Sequence, residues 1–467
     1  MTSSTVASSS PAEPAKLYPP TIDAPSAPLP LWRFLPVFLR NPLRALPLPV
    51  YHEPMFVSPA MGGRLAWVTD PVLVEEILLG SHENFPKSPI ERRIFKPILG
   101  DGILIAEGAS WRWQRRTVAP VFRHGDLMAL VPQISAAAMQ TIERWRTAPT
   151  HAIRRIDHDM TDLTFDVLQA TIFDGASEAE ASDLKLNIGA YLEHTSWDIA
   201  YEILGMPKWV WHPARRPMLR LAGRLEQTMR GIVVRARAAD WPGDGLTARL
   251  GRARDPVTGE AMADSQIMNN LLTFAAAGHE TTAKALTWCL YLLARAPEWQ
   301  AHVRREVTQI AAHGPVLAEH VEQLAITRMV LKEAMRLYPP APVIGRMTQE
   351  AMTLGGHRFP AGAMLVIPIF AVHRHRKLWV DADRFDPERF SPERSQHYAR
   401  TQFMPFGFGP RTCIGMGFAM IEAVVLLATL VRDVAFSCDA SLAPEPVSRV
   451  TLRPKGGMPL AVRMVSR

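Results

Sequence analysis

The sequence predicts a mainly α-helical protein with a minor β part. Three observations carry that expectation. Apolar residues recur at helical spacing in long stretches between residues 71 and 337, and again at about 415–433. β-forming residues gather only in short runs, at 55–71, at 356–369 and towards the C-terminus. Strands and helices do not alternate around a glycine-rich phosphate loop, so a dinucleotide-binding unit is not expected.

The elements follow in order. Ser, Pro and Ala dominate residues 1–30, which read as a flexible lead without the charged and apolar regions of a secretory signal. Residues 31–467 read as a single domain. The apolar stretch LWRFLPVFLR (31–40) has about half the length a membrane-spanning helix needs, so it reads as a docked segment and no membrane anchor is expected. Residues 55–71 read as a small hairpin turning at Gly62-Gly63. Pro71 and Gly80 frame a helix. A basic-faced helix is expected at 111–122, and amphipathic helices at about 128–147, 160–173 and 216–239. The pattern from about 263 to 296 is the longest, roughly 50 Å at 1.5 Å per residue, and Pro297 stops it. Helices follow at about 298–312 and 319–337. Residues 356–369 read as strand, Pro-Ala-Gly turn and strand. Residues 376–412 are rich in Pro, Arg and Asp without periodicity, the mark of a functional or wrapping loop. A helix of about 415–433 and short strands end the chain.

Composition narrows the function classes. The formal charge is +7, yet arginine is spread along the whole chain, so the concentrated basic face of a nucleic-acid binder is missing. Three cysteines, Cys289, Cys413 and Cys438, are too few for a disulfide framework and fit a reducing, cytoplasmic setting.

Cys413 stands apart from the other two. It lies in FGFGPRTCIG (406–415), where glycines let the backbone curl before an apolar helix. Amide donors and the dipole at a helix start favour a negative group and lower a thiol pKa. One thiolate without nearby His or Cys is not a zinc site. It could be a nucleophile, or the one protein ligand of an iron held by a porphyrin.

Phe406-x-x-Gly409-x-Arg411-x-Cys413-x-Gly415 resembles the haem-binding loop of the cytochrome P450 family. The resemblance runs from about residue 55 to 464. It implies the cytochrome P450 fold, a triangular helical prism with small β-sheets, and haem b as cofactor. Cys413 would be the metal ligand, with Phe406, Gly407 and Gly415 shaping its loop.

Three further motifs stand in the matching order. Residues 277–282 read Ala-Gly-His-Glu-Thr-Thr in mid-helix. Gly278 costs about 1 kcal/mol against Ala, and paired Thr residues bend helices, so a gap is expected there. An acid and a hydroxyl beside a gap can pass protons through water. The resemblance places Ala277 and Gly278 over the haem and makes Glu280 and Thr281 the catalytic pair, with His279 left undecided. Glu333 and Arg336 share a helix face at i, i+3. By resemblance they form a buried triad with Arg389, which locks the cysteine loop. A haem also carries two propionates that call for cationic donors. Trp111, Arg115, Arg346 and Arg411 occupy the family's positions for them, while Arg112 and Arg116 suit an acidic redox protein.

The resemblance therefore implies a haem-thiolate monooxygenase. It would use O2 and two electrons from a separate ferredoxin or flavodoxin with its reductase to hydroxylate a lipophilic small molecule. Phe274, Ala275, Val343 and Ile344 are expected in the substrate pocket, with segments 86–105 and 190–210, and their apolar character fits a fatty acid, terpenoid or steroid. Two rivals remain, a peroxide-driven relative and a haem gas sensor, and the retained acid–Thr pair speaks against both. The run His373-Arg374-His375-Arg376 suggests a metal site by composition but reads as structural packing.

Overall fold

The computed structural model describes residues 16–465 apart from 60–62, 148, 150–151, 174 and 204–213; for residues 31 and 196–203 it describes the backbone only. Helices form most of the chain, and the longest, Asp264–Arg295, is the axis of the core. Helices Ile156–Thr171, Arg215–Ala238, Ala325–Leu337 and Met416–Asp433 pack on it. Its apolar residues cover every side of the helix, as a helix at the centre of a large core requires. Pro297 starts the next helix, Pro297–Ala311, at the position where its missing N–H costs nothing.

Among the described residues the β part is four small sheets. The largest orders strands Met55–Val57, Leu65–Val68, Met364–Ile367 and Ile344–Met347; its one parallel pairing is Leu65–Val68 with Met364–Ile367. Both strands expected in 356–369 form, but they join different sheets. His357–Phe359 pairs with Met352–Leu354 instead of with Met364–Ile367.

The structure departs from the sequence reading in three further places. The lead expected to be flexible up to residue 30 is tied down where it is described. Phe385 N donates to Leu17 O at 2.9 Å, Tyr338 OH to Pro20 O at 2.7 Å, and Tyr18 OH to Asp381 Oδ2 at 2.9 Å; residues 1–15 lie outside the described residues. The helix framed by Pro71 and Gly80 is α-helical only over Pro71–Glu75 and then widens into a π turn, Glu76–Gly80. The helices Pro89–Leu99 and Glu178–Ile203 were not expected, the second because its polar and apolar residues mix without a clear face.

Candidate active site

The cysteine loop is shaped by two left-handed glycines, Gly407 at φ 72° and Gly409 at φ 74°. A Cβ on Gly409 would collide with the Leu78 carbonyl of the π turn, so loop and turn fit only because Gly409 has none. Phe406 O accepts the Cys413 amide at 2.9 Å, and Gly409 O accepts Thr412 N at 3.0 Å. The helix Met416–Asp433 starts just beyond, with Gly415 at its cap. Ile344 packs beside Gly407, while Val343 is 40% exposed.

The Cys413 side chain is accessible although protein surrounds it. Burial pushes its thiol pKa up; the Gly415 amide and the Arg115 charge pull it down without overcoming that effect. This corrects the expectation from the helix start alone. The protein supplies donors to a thiolate, but the thiolate also needs a cation to be the stable form.

The long helix is buried through its middle except at Ala276, Ala277, Gly278 and Thr281. Of these, Ala277, Gly278 and Thr281 share one face, at i, i+1 and i+4, and form an accessible strip of small side chains. The expected break is absent, for the helix is continuous. Instead its carbonyls take extra hydroxyl bonds. Thr281 Oγ1 donates to Ala277 O at 2.8 Å and to Gly278 O at 3.3 Å, and Thr164 Oγ1 donates to His279 O at 2.9 Å. His279 is buried against Phe165, its Nδ1 2.8 Å from Ala275 O, and takes no place on the strip. Phe274 and Ala275, expected in the pocket, are also buried; Phe274 meets Phe122 edge-on at 5.3 Å. Of the segment 190–210, residues 204–210 lie outside the described residues.

Glu280 and Thr281 face different ways. The Glu280 carboxylate is buried and paired with Arg453 at 2.6 Å, and its Oε2 has no hydrogen-bond partner. Lys284 lies close enough for the two charges to act on each other, and burial lowers its pKa. A second acid was not legible in the sequence. Glu422, from the cysteine helix, is almost fully buried beside Thr282, and burial pushes its pKa up to about 8.

The cationic residues converge. Lys87, Trp111, Arg346 and Arg411 line one cavity of about 290 Å³. Arg411 lies 3.9 Å over the Trp111 ring and donates to Ala106 O at 2.7 Å and Glu107 at 2.6 Å. Burial lowers the pKa of Lys87, Arg115 and Arg346 and pushes that of Arg411 down to about 10, and the cations repel one another. Arg112, paired with Glu83, lines the same cavity, whereas Arg115 does not; Lys87 is paired with Glu91 and Arg411 with Glu107, and Arg346 has no carboxylate ion pair among the described residues. Lys87 escaped the sequence reading, because a lone lysine far from every motif gives no signal. Arg116, expected on a docking face, is committed to Asp255 at 2.9 and 2.7 Å; Arg112 remains exposed with Glu83.

Glu333, Arg336 and Arg389 lie together in the structure. Arg336 grips the Glu333 carboxylate with two bonds of 2.7 and 2.8 Å, and Arg389 Nε lies 3.5 Å from Glu333 Oε1. Arg336 also donates to the carbonyls of His373, Ala382 and Arg384, and Arg389 to those of Val380 and Asp381. Glu333 and Arg336 have no exposed surface and Arg389 has 2%.

These residues fit a haem. An accessible cysteine with backbone donors suits an iron ligand, a strip of small residues suits a flat ring, and the buried Arg346 and half-buried Arg115, neither of them in an ion pair among the described residues, suit the propionates.

Comparison with known proteins agrees. The family model for cytochrome P450 matches residues 25–460. Taurochenodeoxycholic 6 alpha-hydroxylase of Sus scrofa is 30% identical, over 85% of this chain and 82% of its own. Cyclooctatin synthase of Streptomyces melanosporofaciens is 32% identical, over 86% and 87%. The crystal structure of the cytochrome P450DA heme domain superposes with a TM-score of 0.82 at 24% identity, covering 96% of this chain and 99% of that one. With the family model spanning nearly the whole chain, the protein belongs to the cytochrome P450 family and is an oxygen-incorporating oxidoreductase.

Proposed function

We propose that the protein is a monooxygenase that hydroxylates a lipophilic small molecule, of the fatty acid, terpenoid or steroid class, with O2 and two electrons. The observation that carries this reading is the accessible Cys413 in a chain whose central helix bares, through its middle, only small residues and one threonine. Haem b, when bound, supplies the iron at which O2 is activated.

The chain's own residues do the rest. Cys413 is the iron ligand. The Gly415 amide and the Arg115 charge stabilise its sulfur as an anion. Arg346, Arg411 and Lys87 from one cavity, with Trp111 stacked on Arg411, and Arg115 near Arg411 hold the propionates. Ala277 and Gly278 leave room for the ring. Thr281 presents the hydroxyl that orients oxygen, and Glu280, buried one residue before it, is the acid that returns protons to that side of the site. The triad Glu333–Arg336–Arg389 keeps the loop in place.

Two relatives are named as hydroxylases, taurochenodeoxycholic 6 alpha-hydroxylase and cytokinin hydroxylase, which supports hydroxylation as the outcome. A separate ferredoxin or flavodoxin, with its reductase, delivers the electrons, with Arg112 on the docking side. No helix among the described residues is long and apolar enough to cross a membrane, and all three cysteines are free, which supports work in a reducing cytoplasm.

The ferrous–carbonyl spectrum of the haem-loaded protein tests the reading. A thiolate-type Soret band is expected; a histidine-type band in fresh protein would sink it. Turnover with reduced ferredoxin, compared with hydrogen peroxide alone, then separates a monooxygenase from a peroxide-driven enzyme.

A further inference from the structure

The basic run 373–376 has no part in the function described so far, yet His373 stands between the triad and the cysteine loop. Its carbonyl accepts Arg336 Nη1 at 2.7 Å. Its ring is fully buried, stacked on Phe403 with centroids 5.3 Å apart, and Nε2 accepts the Met404 amide at 3.0 Å. On the other side of the ring the Met335 and Arg336 carbonyls act on it, although Nδ1 completes no hydrogen bond. From Met404 the path continues along the backbone. Met404 O accepts Gly407 N at 3.0 Å, and Phe406 O accepts Cys413 N at 2.9 Å. Among the described residues, no other side chain from outside the loop hydrogen-bonds residues 403–410.

We propose that His373 is a positioning residue for Cys413, carrying the fixed geometry of the Glu333–Arg336–Arg389 triad into the cysteine loop through the Met404 amide. The proposal rests on reading Cys413 as the haem ligand. The ring suits this task because it stays neutral. It is buried beside Arg336 and Arg374, and both cations oppose its protonation. A neutral ring bonded in this way keeps the Nε2 lone pair for Met404. A histidine chosen for metal binding or proton transfer would need an open face; this one has no exposed surface.

The test compares His373→Leu, which has no acceptor, with His373→Gln, whose Oε1 can stand where Nε2 stands. Hydrogen exchange of the haem-loaded protein is read on the peptide spanning 402–412, together with the ferrous–carbonyl spectrum and the reduction potential. In the Leu variant the Met404 amide exchanges at least about tenfold faster, as an opened local segment does. Part of its thiolate-type band converts to a non-thiolate band, and the potential shifts. The Gln variant restores all three towards wild type. Thr327→Val serves as control, because it removes a buried hydroxyl bond to Glu306 away from the loop. It lowers stability and leaves the loop unchanged. Wild-type exchange and spectrum in the Leu variant overturn the proposal, as does a Thr327→Val protein with the same spectral change. If the Leu variant does not fold, a Gln variant that loads haem but exchanges fast at Met404 overturns it too. A wild-type protein lacking the thiolate-type band would instead refute Cys413 as ligand, while exchange at Met404 still reports whether His373 holds the loop.

Discussion

Glu333→Gln is the sharpest perturbation of this fold. It removes one negative charge and keeps nearly the same volume. In the native protein Glu333 receives two bonds from Arg336 and the Asp386 amide at 2.8 Å, and Arg389 lies 3.5 Å away. Both guanidinium groups stay in place in the variant, since each also donates to backbone carbonyls. Two cations then share a site with almost no solvent, and Asp386, which acts on Arg389, is already paired with Arg394. Stranding a buried charge costs about 3–5 kcal/mol. An exposed pair with similar geometry sets the scale: Arg230 and Glu226 lie 2.6 Å apart with 62% and 52% of their side chains exposed. Such a pair contributes about 0–1 kcal/mol, so Glu226→Gln should change little. Urea unfolding of both variants in the haem-loaded state, followed by circular dichroism and by haem absorbance, measures the difference. If Glu333→Gln loses no more stability than Glu226→Gln, the argument from burial is wrong.

Three further outcomes are expected. Glu422 has a folded pKa near 8 against an ordinary 4.5, so the folded state holds its proton longer and its contribution to stability falls as pH rises from 4.5 to 8; Glu422→Gln should flatten the pH dependence of the unfolding midpoint over that range. Gly409→Ala puts a Cβ against the Leu78 carbonyl at a positive φ, at a cost of about 1–3 kcal/mol, and should lower haem content measured by absorbance against protein. Thr281→Ala should load haem and bind ligand normally but release hydrogen peroxide in place of hydroxylated product; unchanged coupling of electrons to product would remove Thr281 from its role.

The parts of this molecule legible in the sequence are those whose partners lie close along the chain. The cysteine loop, the i, i+3 pair of Glu333 and Arg336, and the small residues Ala277 and Gly278 each declare themselves within ten residues. What stayed hidden depends on distance in sequence. Arg453 reaches Glu280 from a strand near the C-terminus, Thr164 reaches His279 from another helix, and His373 meets Met404 across a loop without periodicity. Burial stayed hidden as well. It reverses the sign expected for the Cys413 thiol and keeps Glu422 protonated, and neither effect can be read from residue types alone.

The strap formed by residues 17–20 bears on how the protein is made. Its bonds to Tyr338, Asp381 and Phe385 join groups more than 300 positions apart. On the ribosome the strap emerges more than 300 residues before the groups it bonds to. Contacts of such high order form late, because the loop they close is long. The segment carrying Asp381 and Phe385 leads on to the triad's Arg389 and then to Cys413. Closing the strap therefore waits on the same stretch of chain that carries the triad and the cysteine loop.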